Sequence, residues 1–333
     1  MLQRNIVYEG YVRMKVSVVL ATYNGSKYIQ ELLDSLKNQT LAPDEVLICD
    51  DCSTDNTFEI INEYVNYYSL STWTLYRNPA NQGWVRNFHS LIKECHGDLI
   101  FTCDQDDVWD FRKIELLRSV MEKEKDISVL VSNYTPFYDE GDRGIDRHHV
   151  KNLMKDDGSL SRVNKDNKIF SVEYPGCTYC FRKSFYIKFG ANIIDQVHHD
   201  DVLWAMAALN NSLSIYNKNL VKFRRHGDNA SAPQKALDLQ RRIDELNHII
   251  DLQKWMLNYF YSEADTITDS SIQANNIIFI ETIIRLSSFF EQRKEILQGK
   301  RIIAKFIFIY KNRGLYPTFM NLMSDIYISI RSI

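Results

Sequence analysis

No run of eighteen or more apolar residues occurs in the 333-residue sequence, which excludes a helix that spans a bilayer. The start of the chain lacks a secretory h-region. Six cysteines are too few for a disulfide framework in so long a chain, so reduced thiols are the expectation. A formal net charge of −3 gives no general case for binding nucleic acid. There is no G-x-G-x-x-G after the first strand and no G-x-x-x-x-G-K-[ST] anywhere, which weakens dinucleotide-binding and P-loop readings. What remains is ordinary globular material, 45% hydrophobic and 25% charged, long enough for two domains or one with an appendage.

The first half alternates strand and helix signals. Lys15–Ala21 is a continuous apolar, β-branched run, as a strand covered on both faces requires. Thr22–Gly25 turns, and 27–39 carries Ile29, Leu32, Leu33 and Leu36 at helical spacing. Strands are expected at 45–49, 73–77, 99–102 and 127–131, with helices at 58–65, 85–94 and 112–123 between them. Ser53 or Thr54 is the expected cap of the second helix. This alternation predicts an α/β fold, a mostly parallel, Rossmann-like sheet with helices on both faces.

Beyond Tyr134 the signal thins. Residues 139–168 read as a polar loop or insertion, 173–181 as a strand, 202–209 as a helix, and 213–216 and 220–224 as two short strands. From 236 onward the chain is helical, at 237–261, 271–298, 301–310 and 316–330. The expected organisation is an extension at 1–13, an α/β half at 14–135, a second half at 136–232, and a helical region at 233–333. From Arg285 onward nine Lys/Arg face three acids, and bulky apolar groups lie among the cations, as in interfacial helices. Peripheral membrane contact or dimerisation is expected there; solvated cations on a packed bundle is the plainer alternative.

Chemistry concentrates where strands end. Asp104, Asp106 and Asp107 crowd the end of the strand at 99–102, and a divalent cation relieves such repulsion. A solvated turn or helix cap is the competing reading. Loops 21–25, 50–53 and 104–107 all follow strands of one sheet, so they can form a single crevice. A nucleotide diphosphate bridged by a metal fits that crevice better than a bare anion does. Cys49-x-x-Cys52 and Cys177-x-x-Cys180 have zinc-ribbon spacing, but buried free thiols are the expectation.

The stretches VSVVLATYNG, EVLICDDCSTDNT, NQGWVRNF and DLIFTCDQDDVW resemble, in order and separation, the nucleotide-binding half of family 2 glycosyltransferases of the GT-A fold. The likeness is to the bacterial surface-polysaccharide branch, many of whose members are rhamnosyltransferases. It covers about residues 15–135 strongly and continues more thinly to about 230, which implies a nucleotide-sugar-binding half at 14–135 and an acceptor-binding and catalytic half at 136–232. It implies that Ala21, Tyr23 and Asn24 line base and ribose, that Asp51 hydrogen-bonds the base, and that Arg86 and Asn87 lie near the nucleotide. Asp104-Gln105-Asp106 stands at the family's D-x-D motif. Asp106 would then ligate Mn²⁺ or Mg²⁺, Asp104 would touch ribose or metal water, and His226 would add a ligand. Asp200 is the implied base with Asp201 in reserve, and His199 an acceptor-site group. Phe111 and Asp201 depart from the branch's usual residues.

The resemblance thus implies a cytoplasmic enzyme at the inner membrane face, moving a sugar from a UDP- or dTDP-sugar to a glycan or lipid-linked glycan. A sugar-nucleotide pyrophosphorylase would need a Gly-rich basic loop after the first strand, which 21–26 lacks. A silent nucleotide-sugar-binding module is opposed by the retention of Asp104, Asp106 and Asp200 together. For Asp200 and Asp201 the competing role is capping the helix at 202–209.

Overall fold

The computed structural model describes residues 13–138, 155–163, 169–170, 172, 174–190, 197–226, 239–264, 270–316 and 319–331. The extension at 1–12, most of the loop at 139–168 and the turn after His226 lie outside them.

A nine-stranded sheet runs through the α/β part. Strand β1 (Val16–Thr22) pairs in parallel with β2 (Glu45–Asp50) and β4 (Leu99–Cys103), and β2 pairs in parallel with β3 (Trp73–Arg77). The second half is mixed. Strand β8 (Tyr179–Arg182) runs antiparallel between β4 and β6 (Val129–Tyr138). Strand β9 (Leu213–Arg225) is parallel to β6 and antiparallel to the short β5 (Val108–Trp109) and β7 (Leu160–Arg162).

Alternation along each central strand explains the two cores. Val16, Val18, Leu20, Val46, Ile48, Leu99 and Phe101 face one cluster. Val19, Leu47 and Ile100 face the other, as the two-residue period of a strand demands. On the first face α1 (Ile29–Lys37) buries Ile29, Leu32, Leu33 and Leu36, with α2 (Thr57–Tyr67) and α4 (Lys113–Lys123) beside it. The second face is covered by α3 (Trp84–Glu94), α5 (Lys183–Phe189) and α6 (His199–Leu209). Residues of α7 (Leu239–Ala264) and α8 (Ser270–Gln298) belong to that same second core. The chain closes with α9 (Ile302–Lys311) and α10 (Phe319–Arg331).

Four local expectations change. The residue before α2 is Asn56 with no side-chain cap, because Ser53 turns back to Asp50, its N–H donating to Oδ2 at 2.9 Å. The two short strands at 213–216 and 220–224 are one strand, β9, whose register against β6 shifts beside Ser132 and Asn133. Helix α6 starts at His199, so Asp200 and Asp201 lie in its first turn and His198 holds the cap position without a side-chain cap bond. The strand expected at 173–181 begins at Tyr179, behind a 3₁₀ turn at Gly176–Thr178.

Candidate active site

The parallel register places Thr22 beside Asp50 and Leu20 beside Cys103, so three acid- and amide-bearing loops leave the sheet at one edge. They are tied together. The Gln105 amide clasps the Tyr23 backbone: Tyr23 N–H donates to Oε1 and Nε2 donates to the Tyr23 carbonyl, each at 2.9 Å. Gly25 makes this approach possible, since a Cβ there would lie 2.3 Å from Gln105 Oε1. Asn24, at φ 49°, accepts from Thr54 N–H at 2.8 Å through its side chain, and its own N–H donates to Ser53 Oγ at 2.9 Å. Ala21 is half-buried just inside the turn and Tyr23 is exposed.

Asp51 is 2% exposed. Its carboxylate accepts from Asn78 Nδ2 at 2.7 Å, Gln82 N–H at 2.9 Å and Gly83 N–H at 2.8 Å. Three of its roughly four lone-pair positions therefore brace the loop ahead of α3. Asn87 is buried and donates to the Cys49 carbonyl at 3.0 Å, pinning α3 to β2, while Arg86 on the same helix is exposed.

The acidic turn is held from β9. Pairing of Val108 with Lys222 and of Trp109 with Val221 carries Arg224 and His226 to it. Arg224 donates its backbone N–H to Asp107 Oδ1 at 2.9 Å and Nε to the Asp106 carbonyl at 2.8 Å, and pairs with Glu31 at 2.5 Å. His226 Nε2 lies 2.8 Å from Asp106 Oδ2. Lys113, fully buried beneath the turn, sits 3.4 Å over the Trp109 ring and donates to the Cys177 carbonyl at 2.5 Å. Burial pushes its ammonium down to about 8. Asp104 is pushed up to about 7, first by burial and then by the charges of Asp106 and Asp200. The start of α6 lies beside the end of β4: a Cβ on Gly176 would sit 3.6 Å from Asp200 Oδ2, and the Gly176 carbonyl accepts from Thr102 Oγ1 at 2.5 Å.

At α6 two adjacent carboxyls diverge. Burial and the charge of Asp201 raise Asp200 to about 7. Burial would raise Asp201 as well, but hydrogen bonds from His198 and His248 outweigh it and bring Asp201 to about 2. Asp201 Oδ2 lies 2.5 Å from His248 Nε2 and 3.2 Å from His198 Nδ1, and the two imidazole centroids are 4.2 Å apart. His248 comes from α7 in the helical region. His199 is 2% exposed, its centroid is 4.7 Å from that of Phe88, and neither ring nitrogen has a hydrogen-bond partner among the described residues. Burial lowers it to about 3, so it stays neutral. Trp84, 40% exposed, has its ring 4.5 Å from His198 at the same mouth.

Every candidate from the sequence thus lies around one sheet edge or the facing helix. Arg224, Lys113 and His248 were not among those candidates. A basic turn after β9 marks Arg224 in the sequence; nothing local marks Lys113 or His248. All six cysteines are free. Burial and the nearby Asp51 and Asp50 charges push the Cys49 thiol up to about 11, and burial raises Cys177 and Cys180 too, so these stay protonated thiols.

A sheet of this order with carboxylates at the ends of its parallel strands is the GT-A fold. The glycosyl transferase family 2 model matches residues 17–187, and the chain belongs to that family: it is a glycosyltransferase. It is 29% identical over 296 residues to dTDP-rhamnosyl transferase RfbG of Shigella flexneri, covering 83% of this chain and 94% of that protein. A shorter match, 41% over 96 residues, is to poly(ribitol-phosphate) beta-N-acetylglucosaminyltransferase TarS of Staphylococcus aureus, over 28% of this chain and 16% of TarS. The structure of S. aureus TarS 1–349 with UDP-GlcNAc superposes with TM-score 0.57 at 20% identity, covering 96% of this chain and 89% of that one. Mannosyltransferase PcManGT of Pyrobaculum calidifontis with GDP-Man and Mn²⁺ gives 0.51 at 15% identity, covering 96% and 88%.

Proposed function

We propose that this chain is a metal-dependent inverting enzyme that moves a sugar from a UDP- or dTDP-sugar to a glycan or lipid-linked glycan in bacterial surface-polysaccharide synthesis. The observation that carries the reading is the adjacent pair at the start of α6: Asp201 is clasped by His248 at 2.5 Å and His198 at 3.2 Å and held down at about 2, while Asp200 beside it is raised to about 7. Neighbouring carboxyls whose environments drive them apart mark an acid/base assignment, and a base near the working pH is the effective one.

The donor set fits a hard divalent cation. Asp106 and His226 converge at 2.8 Å with side chains 13% and 10% exposed, and Asp104 suffers like-charge repulsion beside them. Carboxylates with one imidazole suit Mn²⁺, with Mg²⁺ the oxygen-preferring alternative. Among the described residues two triads, Asp104–Asp107–Cys177 and His198–Asp201–His248, also bring ligand atoms within 4.8 Å. The first includes a protonated thiol, and the second is engaged in holding Asp201. A cation on Asp106 and His226 would neutralise the departing diphosphate.

The rest is the work of side chains. Asp200, in its ionised form, takes the proton of the acceptor hydroxyl. That oxygen bonds to the anomeric carbon as the bond to the diphosphate oxygen breaks on the opposite face, through an oxocarbenium-like state. Asp201, clasped by two imidazoles, keeps its charge and keeps Asp200 basic. Ala21, Tyr23 and Asn24 wall the base and ribose, with Asp51 setting the loop at 78–83 and offering its remaining acceptor position to the base. Gln105 fixes Tyr23, Arg86 and Asn87 flank the nucleotide, and neutral His199, buried beside Phe88 and Trp84, shapes the acceptor side. Since RfbG carries the name dTDP-rhamnosyl transferase, dTDP-rhamnose is the donor to test first.

A panel of nucleotide sugars assayed with and without Mn²⁺ tests the reading. Metal-dependent release of nucleoside diphosphate supports it; no release with any donor, or pyrophosphate as product, ends it.

A further inference from the structure

Helix α9 is apolar on two sides: Phe308 and Ile309 are buried against the core with Lys305, and a second stripe faces out. Ile303, Phe306, Ile307 and Tyr310, spaced i, i+3, i+4, i+7 along one face, are exposed, Ile303 at 76% and Tyr310 at 70%. Lys305 on the opposite face is 2% exposed. Helix α10 packs against α9 and repeats the pattern, turning Met323, Tyr327 and Ile330 outward. Single exposed apolar residues need no explanation, but two neighbouring helices that each present an apolar stripe do.

The exposed charges on this stretch of chain have one sign. From residue 299 to the end the sequence holds Lys300, Arg301, Lys305, Lys311, Arg313 and Arg331 against one acid, Asp325. Asp325 is fully buried, accepting from Arg293 Nε at 2.6 Å, Arg242 Nε at 3.0 Å and the Tyr316 hydroxyl at 2.9 Å. Among the described residues from 299 onward the exposed charges are all positive: Lys300, Arg301, Lys311, Arg313 and Arg331. Arg313 lies 4.7 Å from the Tyr310 ring and Arg331 4.9 Å from the Tyr327 ring, joining cation to aromatic at the edge of each stripe. On α8 the exposed isoleucines have Glu281 among them, so the signature is confined to α9 and α10. No helix among the described residues is long and apolar enough to cross a membrane.

We propose that the α9–α10 face docks on an anionic lipid bilayer, the apolar stripes entering the headgroup boundary while the flanking lysines and arginines meet lipid phosphates. Apolar area with cationic flanks is the chemistry of an interfacial helix. A second copy of the chain would set five exposed cations against five more, which disfavours a symmetric dimer on this face. The docking surface stands independently of the catalytic reading, because vesicle binding needs neither donor nor metal.

The test is co-sedimentation of the full chain with phosphatidylcholine vesicles made with and without phosphatidylglycerol. Retention is expected only with the anionic vesicles and should fall as salt rises. Ile303→Asp with Ile307→Asp should cut retention by at least about tenfold, since each removes an apolar side chain from the boundary. Lys311→Glu with Arg313→Glu should cut it by about tenfold or more. All four positions are exposed, so an unchanged melting temperature verifies that the variants fold. An Ile307→Trp variant gives a local reading: its emission should shift to the blue when anionic vesicles are added. Absence of retention, equal retention by neutral vesicles, or self-association that the aspartate pair abolishes would overturn the proposal.

Discussion

The parallel-sheet half and the closing helices obey opposite rules. In β1, β2 and β4 the apolar side chains up to the strand ends are buried, and Asp50, Asp51, Asp104, Asp106 and Asp107 gather where the strands end. In α9 and α10 apolar stripes point out, while on their inner side Asp325 and Lys305 are buried with Phe308, Ile309 and Ile328, and Asp325 meets Arg242 of α7 and Arg293 of α8. In the first region Asp104 and Asp200 are crowded by like charges, and the proposed function puts substrate and metal there. In the second the buried charges compensate one another, and it is the outer surface that lacks a partner. Buried charge is thus put to two uses: an unbalanced cluster prepares chemistry, and a balanced one fastens helices together.

The largest effect should come from the balanced cluster. Asp325→Ala strands two buried guanidiniums from α7 and α8 and should cost about 3–5 kcal/mol, read as a fall in denaturation midpoint. An unchanged midpoint would erase the contrast between the two regions.

Asp200→Asn tests the unbalanced one. It should lower kcat by about 10²–10⁴ while nucleotide affinity stays the same. Because the carboxyl is raised to about 7 and works ionised, kcat/KM of the wild type should climb with pH through about 7 and level off above it. The variant should lack that limb. Transfer at the normal rate would remove the base assignment.

Asp106→Ala should abolish metal-dependent thermal stabilisation by nucleotide. That stabilisation in the wild type should reach about 2.7 kcal/mol at a hundredfold excess over Kd. Persistence of the metal effect would place the ion elsewhere, and the His198–Asp201–His248 triad would be the place to look.

His248 is where the two regions meet, and its effect should be the smallest. His248→Ala removes one of the hydrogen bonds that hold Asp201 ionised and should lower kcat by about tenfold, leaving KM for the donor unchanged. His248→Gln, which keeps a donor, should recover part of the loss. A rise in donor KM instead would mean that α7 shapes the nucleotide site.

Much of this was legible in the chain. β-Branched runs at Val16–Thr22 and Glu45–Asp50 read as buried strands because strand period and burial act over a few residues. Strand ends in a parallel sheet share an edge, so the grouping of Tyr23, Asp51 and Asp104 followed from topology. Strand β8 was harder to delimit, because a 3₁₀ turn and a four-residue strand leave little pattern. Strand β9 was split because a register shift looks in sequence like a loop. Arg224 reaches Glu31 across 193 residues and His248 reaches Asp201 across 47, distances over which no periodicity survives.

The sequence by itself determined which side chains exist to ligate, to accept protons and to anchor, and the order of strands and helices that carries them, since these depend on residue type and near neighbours. Only the tertiary structure decided that Asp200 rises while Asp201 falls, and that the stripe of α9 faces water rather than the core. Both are set by what distant segments bring alongside: imidazoles at the cap of α6 and on α7 in one case, and in the other the neighbouring helices, which cover Lys305, Phe308 and Ile309 and leave the second apolar stripe outside.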